Sequence, residues 1–158
     1  MGPEHLIHPS DILVFTLDKT RYALPLSCVK RAVRAVEITP LPKAPRIVLG
    51  VINLQGAVIA VVDMRSRLRL PARELSLDDR FLIALTPSRQ LALVVDSLEG
   101  IRQLDREQIA GADGTLGLAP HLKGVAKLAD GMALVYDLDR FLSLEEEGEL
   151  DEAMARGN

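Results

Sequence analysis

Hydrophobic residues along this chain fall into short runs, and the runs come in a repeated order. DILVFTL (11–17) and YALPL (22–26) are β-rich stretches joined by the turn-like DKTR, which predicts a hairpin. FLIAL (81–85) and LALVV (91–95) predict a second across TPSRQ, where Pro87 suits the second position of a turn. A shift of 69 residues superimposes the hairpins, laying Leu13, Val14, Tyr22, Ala23 and Leu24 on Leu82, Ile83, Leu91, Ala92 and Leu93. A shift of 74 then lays 50–68 over 124–142 without a gap, with identities at Gly50/Gly124, Val51/Val125, Leu54/Leu128, Val61/Val135, Asp63/Asp137 and Leu68/Leu142. Six matches in nineteen exceed the roughly one expected from ordinary residue usage. The chain therefore reads as two similar units, 11–70 and 80–143.

Each unit holds four or five short strands. A sheet that small leaves edges and an apolar face uncovered unless it closes on itself. The pattern thus predicts a mainly β protein: two small five-stranded β-barrel lobes packed through a hydrophobic interface, with short helices including one at the C-terminus. AVIAVV and MALVY are apolar on both faces, as expected if one face fills a barrel and the other packs on the sister lobe. The three prolines of EITPLPKAPRIVL (37–49) predict a stiff arm crossing the surface. LSCVKRAVRAV (26–36) spaces Leu26, Val29, Val33 and Val36 at helical intervals, and reads either as a short helix or as a turn leading into a strand. Asp105 is a plausible cap for DREQI, and Asp137 before LDRFLSLEEE marks the start of a C-terminal helix. PARELSLDDR (71–80) links the lobes, residues 1–10 are a polar leader, and 144–158 form an acidic C-terminal helix or tail.

Composition narrows the function classes. A chain of 158 residues can bury roughly 70% of its unfolded surface. With 48% hydrophobic and only 3% aromatic residues, its core is aliphatic. Net charge is −3, but 145–158 carries six acidic residues against Arg156, so residues 1–144 stand near +2. That leaves no large field for steering towards nucleic acid or an anionic membrane. Cys28, the only cysteine, cannot form an intramolecular disulfide, and the N-terminus has no signal-peptide pattern. The longest apolar stretch, Ile47 to Val62, is too short and too interrupted by Asn53 and Gln55 for direct membrane insertion. A cytoplasmic protein is expected.

Reactive groups are sparse. His5, His8 and His121 lack a second ligand at metal-binding spacing, so no metal is expected. Cys28 has Lys30 and Arg31 nearby but no catalytic signature around it, and reads as a bystander. GADGTLGLAP (111–120) lacks the lysine of a phosphate loop and reads as a connector. Asp63 and Asp137 occupy equivalent places after apolar strands, which favours capping over acid–base chemistry. Arg65, Arg67 and Arg69 alternate, so a strand would present all three on one face; with Lys30, Arg31 and Arg34 they read as solvated or partner-facing. No catalytic residue and no cofactor emerge. A protein-binding module is the reading, with an inter-lobe groove suited to an amphipathic helix of a partner. The alternative is a small-ligand sensor using that groove.

ILVFTLDKTRYALPL, VEITPLPKAPRIVLGVINLQGAVIAVVDMRSRL, LALVVDSLEGI and LKGVAKLADGMALVYDLDRFL, in that order over 11–143, resemble the CheW family of bacterial chemosensory coupling proteins. The resemblance implies two β-barrel lobes and a non-catalytic adaptor in chemotaxis signal transduction. Such an adaptor joins the tip of a methyl-accepting chemoreceptor to the regulatory domain of a CheA-type histidine kinase. The receptor's helical hairpin would occupy the inter-lobe groove, drawing on Leu26, Val29, Val94 and Leu98, and the kinase domain, itself CheW-like, would dock lobe against lobe. Gly50, Asn53, Gln55, Gly56 and Arg31 complete the implied receptor- and kinase-binding set. Two positions depart from the family pattern: Gln55 stands where most relatives read arginine in NLRG, and Arg31 where many carry glutamate. Those departures imply a specialised system.

Overall fold

The computed structural model describes residues 11–111 and 121–156. The leader and most of the Gly-rich connector lie outside the described residues. Eleven strands are present among them: β1 Ile12–Leu17, β2 Thr20–Pro25, β3 Val29–Arg34, β4 Val48–Leu54, β5 Ala57–Val62, β6 Arg80–Leu85, β7 Gln90–Val95, β8 Ser97–Arg102, β9 Ile109–Ala110, β10 Leu122–Leu128 and β11 Gly131–Tyr136. Two helices, α1 Met64–Arg67 and α2 Leu144–Arg156, accompany them. The open choice at 26–36 resolves as a 3-10 turn, Leu26–Cys28, leading into β3. Two of the three two-residue hairpins, β1–β2 and β4–β5, turn on residues with positive φ, Asp18 and Lys19 (52° and 70°) and Gln55 and Gly56 (52° and 88°). That geometry matches the twist of the flanking strands.

The strands make two sheets, one ordered β8-β1-β2-β11-β10-β9 and the other β3-β6-β7-β5-β4. The mainly β, two-lobe architecture is as expected, but with two corrections. Among the described residues neither ladder returns to its first strand, so the lobes are curled open sheets of six and five strands, not closed five-stranded barrels. Nor do the sheets coincide with 11–70 and 80–143. The hairpin β1–β2 sits between β8 and β11, and β6–β7 sits between β3 and β5, so the two units exchange their hairpins.

The exchange is symmetric to the residue. Tyr22 pairs with Leu134 and Ala23 with Val135 in one sheet, while Leu91 pairs with Ala60 and Ala92 with Val61 in the other. Those are the 69- and 74-residue shifts acting together. Register shifts recur at Val48/Gly50 and Leu122/Gly124. The Asp63 N–H donates to the Ile47 carbonyl and the Asp137 N–H to the His121 carbonyl, again one repeat apart. Both carboxylates cap the turns that follow, accepting from Ser66 N–H (3.3 Å) and Asp139 N–H (3.2 Å).

Strand alternation divides the apolar side chains between three cores. Ile12, Val14, Ala23, Ala133 and Val135 fill the concave side of the six-stranded sheet. Ile59, Val61, Phe81, Ile83 and Ala92 do the same for the five-stranded sheet. The intervening residues, among them Phe15, Leu24, Val62, Leu82, Leu93 and Tyr136, form the central core that the two sheets share. The C-terminal helix starts later than Asp137 suggested: a 3-10 turn, Leu138–Arg140, comes first. At the start of α2, Glu146 N–H donates to Ser143 Oγ (3.1 Å) and Ser143 N–H to Glu146 Oε1 (2.9 Å), a reciprocal cap. Buried Leu150 and half-buried Met154 anchor this acidic helix on the central core, and Arg89 of the β6–β7 turn pairs with Glu147 (2.9 Å) and Asp151.

Candidate partner-binding surface

The β4–β5 hairpin carries four of the sequence-predicted positions, Gly50, Asn53, Gln55 and Gly56, within seven residues of chain. Asn53 Oδ1 accepts from the Gly56 N–H at 2.9 Å, closing the turn from inside. That leaves the Gln55 side chain free to reach sideways, where its Oε1 accepts from Arg31 Nη2 at 3.1 Å. Arg31 is delivered by β3, which is held against β6 with Arg31 opposite Ile83. The two departures from the family pattern are therefore one contact: a neutral amide against a guanidinium. Arg31 Nε is buried without a hydrogen-bond partner, so the guanidinium keeps unused donor capacity.

Gly50 contributes geometry. Its φ is +151°, and a Cβ there would stand 2.2 Å from the Thr39 carbonyl oxygen. Thr39 and Val51 exchange both backbone hydrogen bonds, 2.9 and 2.8 Å. The proline-rich arm is thus clamped onto β4 at the one residue with no side chain. The predicted groove residues fall in two places. Leu26, Val29 and Leu98 are half-buried against the central core, whereas Val94 packs on the concave core of the five-stranded sheet.

Two features escaped the sequence. Val58 and Met132, 51% and 64% exposed, are equivalent under the 74-residue shift and place an apolar side chain near the tip of β5 in one lobe and β11 in the other. The signal was present as an aligned apolar pair, but burial was the default assumption for both. The second is a cleft of about 710 Å3 at the junction of the sheets, bordered by Arg46, Arg67, Arg69 and His121. Its border carries the arginines beside Ile47 and Leu68, and none of Leu26, Val29, Val94 and Leu98 lines it.

The alternating arginines are also corrected. They lie on and after the one-turn helix α1, not on a strand, and they diverge. Arg65 is buried and binds Asp96 (2.6 Å), the Pro71 carbonyl (3.0 Å) and Asp18 (3.6 Å). Arg67 reaches Glu146 (2.5 Å) and lies over the Phe141 ring at 5.4 Å. Arg73 of the linker bridges Asp79 (2.7 Å) and Asp96 (2.6 Å). Burial pushes the Asp96 carboxyl up, but the Asp18 N–H and the Arg65 and Arg73 guanidiniums outweigh it and hold it below the usual carboxylate range.

Cys28 is half-buried, and burial pushes its thiol above the ordinary value, the reverse of an activated nucleophile. Among the described residues no group of three His, Cys, Asp or Glu could hold a metal ion, and no helix is long and apolar enough to cross a membrane.

A duplicated two-sheet scaffold with a shared core and exposed apolar side chains on matched strand tips defines a class of interaction module. The CheW-like domain family matches residues 11–146, and the chain belongs to it. It is similar to the chemotaxis protein CheW of Rhizobium meliloti, 28% identical over 141 residues, which covers 86% of this chain and 89% of that protein. The chemotaxis protein CheW of Thermotoga maritima is 26% identical over 133 residues, covering 84% and 87%. Among solved structures, the scaffolding protein TtCheW from Thermoanaerobacter tengcongensis superposes with a TM-score of 0.78 at 28% identity, covering 88% of this chain and 96% of that one.

Proposed function

We propose that this chain is a non-catalytic adaptor of a bacterial chemosensory array, working in the cytoplasm. It couples the tip of a methyl-accepting chemoreceptor to the regulatory domain of a CheA-type histidine kinase. The observation that carries this reading is the matched pair Val58 and Met132, one exposed apolar side chain at the same place on each lobe. A scaffold that offers the same apolar contact on each lobe suits lobe-against-lobe docking with a CheW-like partner, because exposed apolar side chains gain most when an interface removes them from water. The half-buried Leu26, Val29 and Leu98 at the edge of the central core would receive the receptor's helical hairpin.

The contact between Arg31 and Gln55 supports a specialised system. A relative with glutamate and arginine there presents an ion pair, whereas this chain presents one positive charge tempered by an amide. A partner fitted to the ion pair meets a different field here.

Pulldown with the kinase regulatory domain and with receptor tips encoded nearby is the test. Capture of both is expected, weakened by Val58→Glu or Met132→Glu on the side each variant touches; capture of neither overturns the reading. For partner choice, Arg31→Glu and Gln55→Arg are measured singly and together. Gln55→Arg alone sets two guanidiniums side by side, and the double variant restores a pair, so a coupling of about 0.5–1 kcal/mol in partner affinity is expected. Strictly additive effects would remove the two residues from partner choice.

A further inference from the structure

The cleft at the junction of the sheets is not used by the adaptor reading. Arg46 and Ile47 border it at the entry of β4, Arg67 to Arg69 on the side of α1, and His121 at the entry of β10. Ile47 and His121 are equivalent residues of the two units, so the cleft lies where the repeats meet. Among the described residues, three guanidiniums border the cleft with a single carboxylate, that of Glu146, which is already spent on Arg67 Nη2 and on its own helix cap. Arg46 and Arg69 are exposed, and neither has an ion-pair partner among the described residues. Such a concentration of charge is not a by-product of composition, because residues 1–144 as a whole stand near neutrality.

We propose that this cleft docks an acidic segment of a partner protein, its carboxylates meeting Arg46, Arg67 and Arg69 and its aliphatic side chains resting on Leu68. Glu146 shows the chemistry in place: a carboxylate enters from α2 and binds the Arg67 guanidinium at 2.5 Å. The layout favours a chain of carboxylates over a lone phosphate. The cations come from two separate stretches of chain, the approach to β4 and the α1 turn, and about 710 Å3 exceeds what one phosphate group fills. His121 borders the same cleft, and burial, then the Arg67 charge, hold its imidazole below the ordinary value. None of the surfaces assigned to receptor or kinase lines this cleft, so loss of one function leaves the other testable.

Fluorescence anisotropy of a labelled peptide of repeated Glu-Glu-Leu, titrated with the intact protein, tests this directly. Saturable one-to-one binding is expected. It should weaken about tenfold or more in the double variant Arg46→Glu, Arg69→Glu, and fall as salt is raised from about 50 to about 500 mM. In the unmodified protein, NMR titration of the His121 ring, assigned against His121→Asn, should show its pKa rising once peptide is bound, because a neighbouring anion favours the imidazolium. That readout needs no charge-reversed variant to fold. Absence of saturable binding, binding unchanged by the double variant, or an unmoved His121 would overturn the proposal. Saturable binding of inorganic pyrophosphate with no binding of the peptide would do so too, in favour of a small-anion site.

Discussion

Gly50 shows how one residue can hold a long segment in place. The arm 37–47 has few partners of its own, and its double hydrogen bond to Val51 depends on Thr39 approaching where a Cβ would be. Gly50→Ala must both strain a φ of +151° and displace backbone. A loss of at least about 2 kcal/mol in chemical denaturation is expected, with faster amide exchange at Val51; an unchanged midpoint would show that the arm is not clamped there. The repeat made Gly50 conspicuous in the sequence, but not its reason, since Thr39 is eleven residues away and in a segment without periodicity. Gln55 and Arg31 were readable as departures from a pattern. Their contact was not, because it joins β3 to the β4–β5 turn across a fold that only the sheet brings together.

At the scale of elements, the joint between β7 and β8 is the sharpest constraint. A single residue, Asp96, separates strands that lie in different sheets. One residue is too few to reverse the chain into a hairpin, so the strand runs on into the neighbouring sheet. Asp96 also gathers Arg65, Arg73 and the Asp18 N–H, tying α1, the linker and the β1–β2 turn to that crossing. Its carboxyl is held below the usual range when folded, so its contribution is complete above the unfolded value of about 4 and is lost as pH falls through the lower folded value. Asp96→Asn should cost about 1–3 kcal/mol at neutral pH and flatten the acid limb of the stability curve below about pH 4. Denaturant midpoints measured at several pH values check both; a variant with the same acid slope as the parent would place the pH dependence elsewhere. Alternation of Arg65, Arg67 and Arg69 suggested a shared face. The Asp63 cap instead starts a helical turn, and helical geometry sends neighbouring arginines in different directions.

For the whole molecule, hairpin exchange decides cooperativity. Without β6 and β7, β3 loses its only neighbour among the described strands and no longer shares a sheet with β5; without β1 and β2, β8 is cut off from β11 in the same way. Each sequence unit alone lacks the middle of its sheet. Fragments 1–78 and 79–158 should each give collapsed NMR dispersion and no cooperative melt, and together should recover the dispersion of the intact chain. A fragment that melts cooperatively by itself would contradict this dependence. The pinned acidic helix adds to the same unity, since Leu150 and Met154 close the central core while Arg89 and Arg67 grip its acidic face.

The sequence by itself determined the strands of the two hairpins and of the repeated Gly-Val segments, the two-fold repetition, the doubly apolar character of the central strands, the capping aspartates and the family, because each of these is written in local spacing or in identities at a constant shift. Tertiary structure alone decided which sheet receives each hairpin, that the ladders stay open, and that a cationic cleft forms where the units meet. A repeat states which residues are equivalent, but it is silent on whether a hairpin pairs within its own unit or across to the other. Joint length and the packing of the shared core make that choice.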